Sequence, residues 1–209
     1  MIEITNEDNM KLMARYEDNH FDLAIVDPPY GIDAGSSFTN YNGYRNGGQV
    51  SKLKVSDWDK SIPSTEYFRE LFRVSKNQII WGGNYFIDYL MNTNCIIVWD
   101  KNNGDSTFAD GELAWASFKT KLRIYKFHAT SAAKGKIHPT QKPVKLYKWL
   151  LDNYANKGDK ILDTHLGSGS IAIACHDYKF DLTACEIDTQ YFEDATKRLK
   201  IAQMQTSLF

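Results

Sequence analysis

Cysteine is scarce in this chain: Cys95, Cys175 and Cys185 are the three in 209 residues. An odd number, each in an apolar strand or helix context, reads as buried thiols in a reducing compartment in preference to disulfides. No Cys and His fall at zinc-ligand spacing, so no metal site is expected. No apolar run approaches the length of a bilayer span, and the first residues lack a basic-then-apolar leader pattern. The expectation is a cytoplasmic protein without a membrane partner. Acid is missing from one long stretch: Leu113 to Leu151 contains no Asp or Glu.

The rest of the composition, 43% hydrophobic and 24% charged, is that of an ordinary globular chain, long enough for one well-buried domain over 1–209. The net charge of −1 conceals an asymmetry. The acid-free stretch holds nine of the 25 basic residues: Lys119, Lys121, Arg123, Lys126, Lys134, Lys136, Lys142, Lys145 and Lys148. That leaves 16 basic against 26 acidic residues elsewhere. With Trp115, Phe118, Tyr125, Phe127 and Trp149 interleaved, the pattern favours a polyanion such as a phosphate backbone over a merely solvated face.

Hydrophobic patterning places strands at Ile2–Ile4, Phe21–Val26, Gln78–Trp81, Cys95–Trp99, Lys160–Asp163 and Leu182–Glu186. Glu112–Phe118 and Leu122–Phe127 read as further strands or a hairpin. Helices are expected at Met10–Tyr16, from a Ser64 or Thr65 cap to Ser75, and at Tyr85–Met91, Pro143–Tyr154, Gly169–Tyr178 and Tyr191–Leu199. The alternation predicts an α/β fold with a doubly wound, mainly parallel sheet. The Gly-, Asn- and Ser-rich run within 31–60 reads as a mobile loop, and its place makes it a candidate substrate lid.

Two junctions carry chemistry. The buried run Phe21–Val26 ends abruptly in Asp27-Pro28-Pro29-Tyr30, since proline has no amide donor and a fixed φ. A carboxylate, a carbonyl without a ladder partner and a flat ring then stand at a strand's carboxyl end. That set suits gripping an amino group on a planar heterocycle. The second junction is Lys160-Ile161-Leu162-Asp163-Thr164-His165-Leu166-Gly167-Ser168-Gly169-Ser170: strand, glycine turn, helix. Gly167 and Gly169 let a ligand approach the backbone at a helix N-terminus, and Glu186, about twenty residues on, is placed to accept hydrogen bonds from ribose hydroxyls. Ala172 stands where the dinucleotide fingerprint needs glycine, and no Walker lysine follows. A nucleoside ligand without phosphates fits, and S-adenosylmethionine meets that description, with Asp163 facing its ammonium.

These residues resemble the amino-methyltransferases that modify exocyclic amines of DNA bases. Asp27-Pro28-Pro29-Tyr30 is similar to their catalytic motif, and Asp163 to Ser170 to their cofactor motif. His138-Pro139-Thr140-Gln141-Lys142-Pro143 is similar to the segment that precedes the cofactor motif in the class called β. All three come in that class's order. The resemblance implies a circularly permuted Rossmann-like fold with a small inserted recognition lobe at roughly 101–137, S-adenosylmethionine as methyl donor, and DNA as partner. By analogy with the family it also implies a homodimer.

In catalysis it implies that Asp27 and the Pro28 carbonyl accept the two amine hydrogens, beside Pro29, and that Tyr30 stacks on a flipped base. An acid first and Tyr last favour N6 of adenine; cytosine N4, RNA, or a silent nucleic-acid-binding subunit are the alternatives. On the cofactor side it implies Asp163, His165, Gly167, Ser168, Gly169 and Glu186. Thr140 is expected near the cofactor ribose or Lys142 near its methionine carboxylate, whereas Pro143 reads equally as the start of a helix. Asp8 matches the acid near the cofactor's adenine and reads equally as a helix cap. His165 departs from the family's Phe, and His138 reads as a structural hydrogen-bonder. Trp81 to Phe86 reads as a wall of the base pocket or as packing. Lys119, Lys121, Arg123, Lys126, Lys134 and Lys136 are the expected nucleic-acid contacts.

Overall fold

In the computed structural model, residues 1–33, 59–104, 109–128, 137–138 and 140–206 are described. Eight strands form one sheet: β1 (Ile2–Thr5), β2 (Phe21–Val26), β3 (Ser75–Trp81), β4 (Ile96–Asp100), β5 (Gly111–Ala116), β6 (Arg123–Lys126), β7 (Lys160–Asp163) and β8 (Asp181–Cys185), in the order β1-β8-β7-β2-β3-β5-β4-β6. The pairings are parallel except for those of β5, which runs antiparallel to both β3 and β4. The helices are α1 (Asn9–Met13), α2 (Thr65–Val74), α3 (Val144–Tyr154), α4 (Ser170–Tyr178) and α5 (Thr189–Thr206).

Period-two burial splits the core between the two sheet faces. Leu23, Ile25, Ile79, Ile161, Leu182 and Ala184 face α3, α4 and α5, whereas Ala24, Val26, Ile80, Leu162 and Cys185 face α1 and α2. Both faces are covered, so the central strands read as continuous apolar runs. Each fully buried aliphatic side chain stabilises the fold by roughly 1.5–3 kcal/mol. Cys95, Cys175 and Cys185 are buried free thiols. Among the described residues no helix is long and apolar enough to cross a membrane.

Two local expectations are corrected. Tyr85–Met91 forms two short 3-10 turns, Gly83–Tyr85 and Ile87–Tyr89, instead of a helix. Phe86 breaks the run: it turns inward at φ −121° to pack on Tyr30 and Phe68. The last helix is longer at both ends than its apolar periodicity indicates; at its start Asp188 accepts from the amides of Gln190 and Tyr191 at 2.9 and 3.1 Å. Of the two readings of Glu112–Phe118 and Leu122–Phe127, the structure has the separate strands, β5 and β6 each pairing with β4 on opposite sides. Within 101–137, Gly111–Ala116 and Arg123–Lys126 are strands of the main sheet. Most of the expected loop 31–60 lies outside the described residues, as do 105–108 and 129–136.

The chain leaves β7 toward β8 and leaves β2 toward β3, so β7 and β2 are neighbours whose connections diverge. Such a switch point opens a crevice at the strands' carboxyl ends.

Candidate active site

A cavity of about 550 Å³ occupies that crevice, within the range of small-molecule sites. β2 delivers Asp27, Pro28, Pro29 and Tyr30 to its wall; the turn after β7 delivers His165, Leu166 and Ser168; Glu186 follows β8. Asp8, His138, Thr140 and Lys142 complete the wall from loops. The two sequence motifs, 136 positions apart from Asp27 to Asp163, thus open into one space.

On the β2 side, the Tyr30 hydroxyl donates to Asp27 Oδ1 at 2.7 Å, and Lys142 Nζ donates to Asp27 Oδ2 at 2.5 Å. The Tyr30 ring lies nearly parallel to Tyr85, with centroids 5.0 Å apart. Gly82 makes this possible. Its φ is +71°, and a Cβ there would lie 2.2 Å from the Tyr30 ring. The Trp81 to Phe86 segment is therefore both packing and wall, with Asn84 and Tyr85 reaching the cavity.

Lys142 lines the same cavity and turns its ammonium to this side. Its side chain is 1% exposed, and its ammonium sits between Asp27 and Glu112, 2.9 Å from Glu112 Oε2. Lys101 reaches the same Glu112 at 2.7 Å. Burial pushes the Asp27 carboxyl up, against the opposing pull of Lys142. Burial also works against the Lys142 charge, but Asp27 and Glu112 outweigh it and hold its pKa above the ordinary lysine value. Glu112 resists its own burial through Lys142 and Lys101 and is drawn down to about 2.

On the β7 side, Glu186 Oε2 accepts from the Gly167 amide at 2.8 Å and Oε1 from the Asp188 amide at 3.0 Å. These bonds aim the carboxylate while leaving it acceptor capacity toward the cavity. Gly169, at φ +70°, packs on Ala195 of α5, and Arg198 from the same helix donates to the Ser168 carbonyl at 2.7 Å and Ser170 Oγ at 2.9 Å. The turn is thereby clamped from behind. Asp163 does not face the cavity: it is 2% exposed, its Oδ1 accepts from the His165 amide at 3.0 Å, and burial raises its pKa to about 8.

His165 fits where the family has Phe because both ring nitrogens are engaged. Nδ1 lies 2.9 Å from Thr164 Oγ1 and Nε2 lies 3.0 Å from Asn9 Nδ2. Burial lowers its pKa to about 4, so the imidazole is neutral. His138 is likewise pushed down to about 4 by burial, and its ring packs on Tyr191 at 4.4 Å. Thr140 donates its amide to His138 Nδ1 at 3.3 Å. Asp8 does cap α1, its Oδ1 accepting from the amides of Met10 and Lys11, while also bordering the cavity.

A model of the family described as "DNA methylase" matches residues 94–197. The chain belongs to the N6/N4 DNA methylase family. This methylase is 26% identical over 239 residues to the type II methyltransferase M.HpaI of Haemophilus parainfluenzae, covering 91% of its own length and 71% of the relative's. Its fold is similar to that of the M1.HpyAVI–SAM complex, with a TM-score of 0.62 at 18% identity, over 95% of this chain and 99% of the other. It is also similar to that of the cytosine-N4-specific PvuII DNA methyltransferase, with a TM-score of 0.59 at 10% identity, over 96% and 90%.

The methylase's expected nucleic-acid residues divide. Lys119, Lys121, Arg123 and Lys126 are exposed; Lys134 and Lys136 lie outside the described residues. Because β5 runs away from the cavity's edge of the sheet and β6 runs back, Lys119 and Lys121 sit toward the opposite edge, and Lys126 returns beside Asp100. The interleaved aromatics are packing residues: Trp115 is core on one sheet face, Phe118 and Trp149 pack against the core on the other, and Tyr125 packs on Trp149 and Phe127. Two residues escaped sequence reasoning. Glu112 is the last acid before the acid-free stretch, which is its only trace in the sequence. Asp59 is buried at the cavity, yet looks like any loop acid.

Proposed function

We propose that this methylase transfers a methyl group from S-adenosylmethionine to the exocyclic N6 amine of an adenine flipped out of DNA. The observation that carries the reading is the single cavity shared by the Asp27–Tyr30 turn and the Glu186–glycine-turn wall. The residues fit the cofactor: Glu186 faces the cavity with unused acceptor capacity toward ribose hydroxyls, and Gly167 puts no side chain into the turn at its own position. Thr140, His165, Ser168 and Asp8 would line the rest. The cofactor supplies an electrophilic methyl group on a sulfonium.

The chain's own part is orientation and charge. Asp27 and the Pro28 carbonyl accept the two amine hydrogens, which withdraws the nitrogen lone pair from the ring and directs it at the methyl group. The Tyr30 hydroxyl, which now holds Asp27 Oδ1 at 2.7 Å, yields that place to the amine. The Tyr30 ring then stacks on the base. No covalent intermediate on the protein is needed.

The test is incubation of the purified protein with S-adenosylmethionine and duplex DNA of mixed sequence, followed by mass spectrometry of the nucleosides. N6-methyladenine is expected, and its loss in Asp27→Ala with cofactor binding retained. N4-methylcytosine would move the reading to cytosine, and no methylated nucleoside would overturn it.

A further inference from the structure

The buried ammonium of Lys142 meets three oxygens from two parts of the chain, the turn after β2 and the start of β5. Asp27 Oδ2 follows β2, Glu112 Oε2 lies at 2.9 Å on β5, and the Tyr30 hydroxyl lies at 3.4 Å. Lys101 then meets the other Glu112 oxygen at 2.7 Å. Two carboxylates and two ammonium groups thus form a neutral cluster. An uncompensated ion there would cost several kcal/mol. Neutrality could be had more simply, with Lys142 and Asp27 alone. A lone pair of that kind, buried, would commit the ammonium wholly to Asp27, the carboxylate that the amine must reach. A second carboxylate on the far side of Lys142 divides its hold. β5 is reversed relative to β3, and that reversal brings its first residues, Gly111 and Glu112, to the cavity's edge of the sheet.

We propose that Glu112 is a positioning residue for methyl transfer, acting through Lys142 to set how tightly Asp27 is held and where it points. The inference rests on the reading of Asp27 as the acceptor of the substrate amine. It adds that the ammonium is an adjustable partner of Asp27, restrained by Glu112, which Lys101 restrains in turn. The groups that face Lys142 are Asp27, Tyr30, Glu112, and at longer range His138 and Asp163; the Trp81 ring lies 5.2 Å away.

The experiment compares steady-state DNA methylation and its pH profile in the wild type, Glu112→Gln, Glu112→Asp and Lys101→Gln, with cofactor affinity measured by calorimetry. Glu112→Gln should lower kcat about tenfold or more while cofactor affinity changes less than about twofold. The basic limb of its kcat profile should move to lower pH, because Lys142 loses one of two carboxylates that hold its proton. Glu112→Asp should recover part of kcat. Lys101→Gln should lower kcat several-fold with cofactor affinity retained, since Glu112 then has Lys142 alone to hold it. Should Glu112→Gln fail to fold, this loss in Lys101→Gln still decides the matter. A wild-type kcat and profile in Glu112→Gln, or a wild-type kcat in Lys101→Gln, overturns the role of Glu112 while leaving the assigned reaction standing. A wild-type protein that methylates no base overturns both.

Discussion

The backbone amide of Tyr30 donates to the side chain of Asp59 at 2.6 Å, joining residues 29 positions apart. The Gly31 amide donates to the same oxygen at 2.9 Å, and the Asp33 amide to the Asp59 carbonyl at 3.0 Å. The turn that presents Asp27 and Tyr30 is thus fastened by an acid distant in the chain. The prolines set its φ angles, and Asp59 sets its exit.

Replacing Asp59 by Ala removes a charged acceptor from two amides, a loss of about 1–3 kcal/mol of stability. Denaturant unfolding should register it. Methyl transfer should fall about tenfold or more while cofactor affinity holds, because the clamp acts on the base side only. An Asp59→Ala protein with wild-type turnover would remove Asp59 from the site.

Gly82→Ala tests the seating of Tyr30. The added methyl would overlap the Tyr30 ring, at a backbone φ of +71° that alanine rarely adopts. Methylation should drop about a hundredfold with the cofactor still bound. Normal activity would mean that the ring's present position is unimportant.

Asp163 gives a pH signature. Its native pKa of about 8 lies above the ordinary 3.8, because burial disfavours the charged form. The native state therefore holds a proton that the unfolded chain releases, and stability falls as pH rises from about 4 to about 8. Asp163→Asn cannot titrate. Its melting temperature should gain on the wild type across that window, and parallel curves would contradict the assignment.

Salt-dependent DNA binding should separate the basic residues by position. Lys126 shares the cavity's edge of the sheet, whereas Lys119 and Lys121 sit toward the other. Lys126→Ala should weaken binding and lower the salt slope by about one. The double change of Lys119 and Lys121 to Ala should do less. The reverse ranking would place the duplex on the far edge.

Much of this was legible in the sequence for local reasons. Phe21–Val26 meets Asp27 with a fixed boundary because proline ends a ladder wherever it stands. Apolar alternation located the strands, and the order of the motifs implied that both turns serve one reaction. Where neighbours distant in the chain decide the outcome, local pattern was insufficient. Phe86 broke an expected helix because Tyr30 and Phe68 pull it inward, and Trp115 joined the core rather than a nucleic-acid surface.

The chain by itself determined the elements, the two motif-bearing turns and the family's chemistry, since these depend on residue type and on neighbours a few positions away. Only the tertiary structure decided where the charges went. It turned Asp163 inward, engaged both nitrogens of His165, and placed Lys142 between Asp27 and Glu112. The physical reason is that a buried polar or ionised group is stable only with a partner. Which partner it finds is settled by strand direction and register, and above all by the reversal of β5.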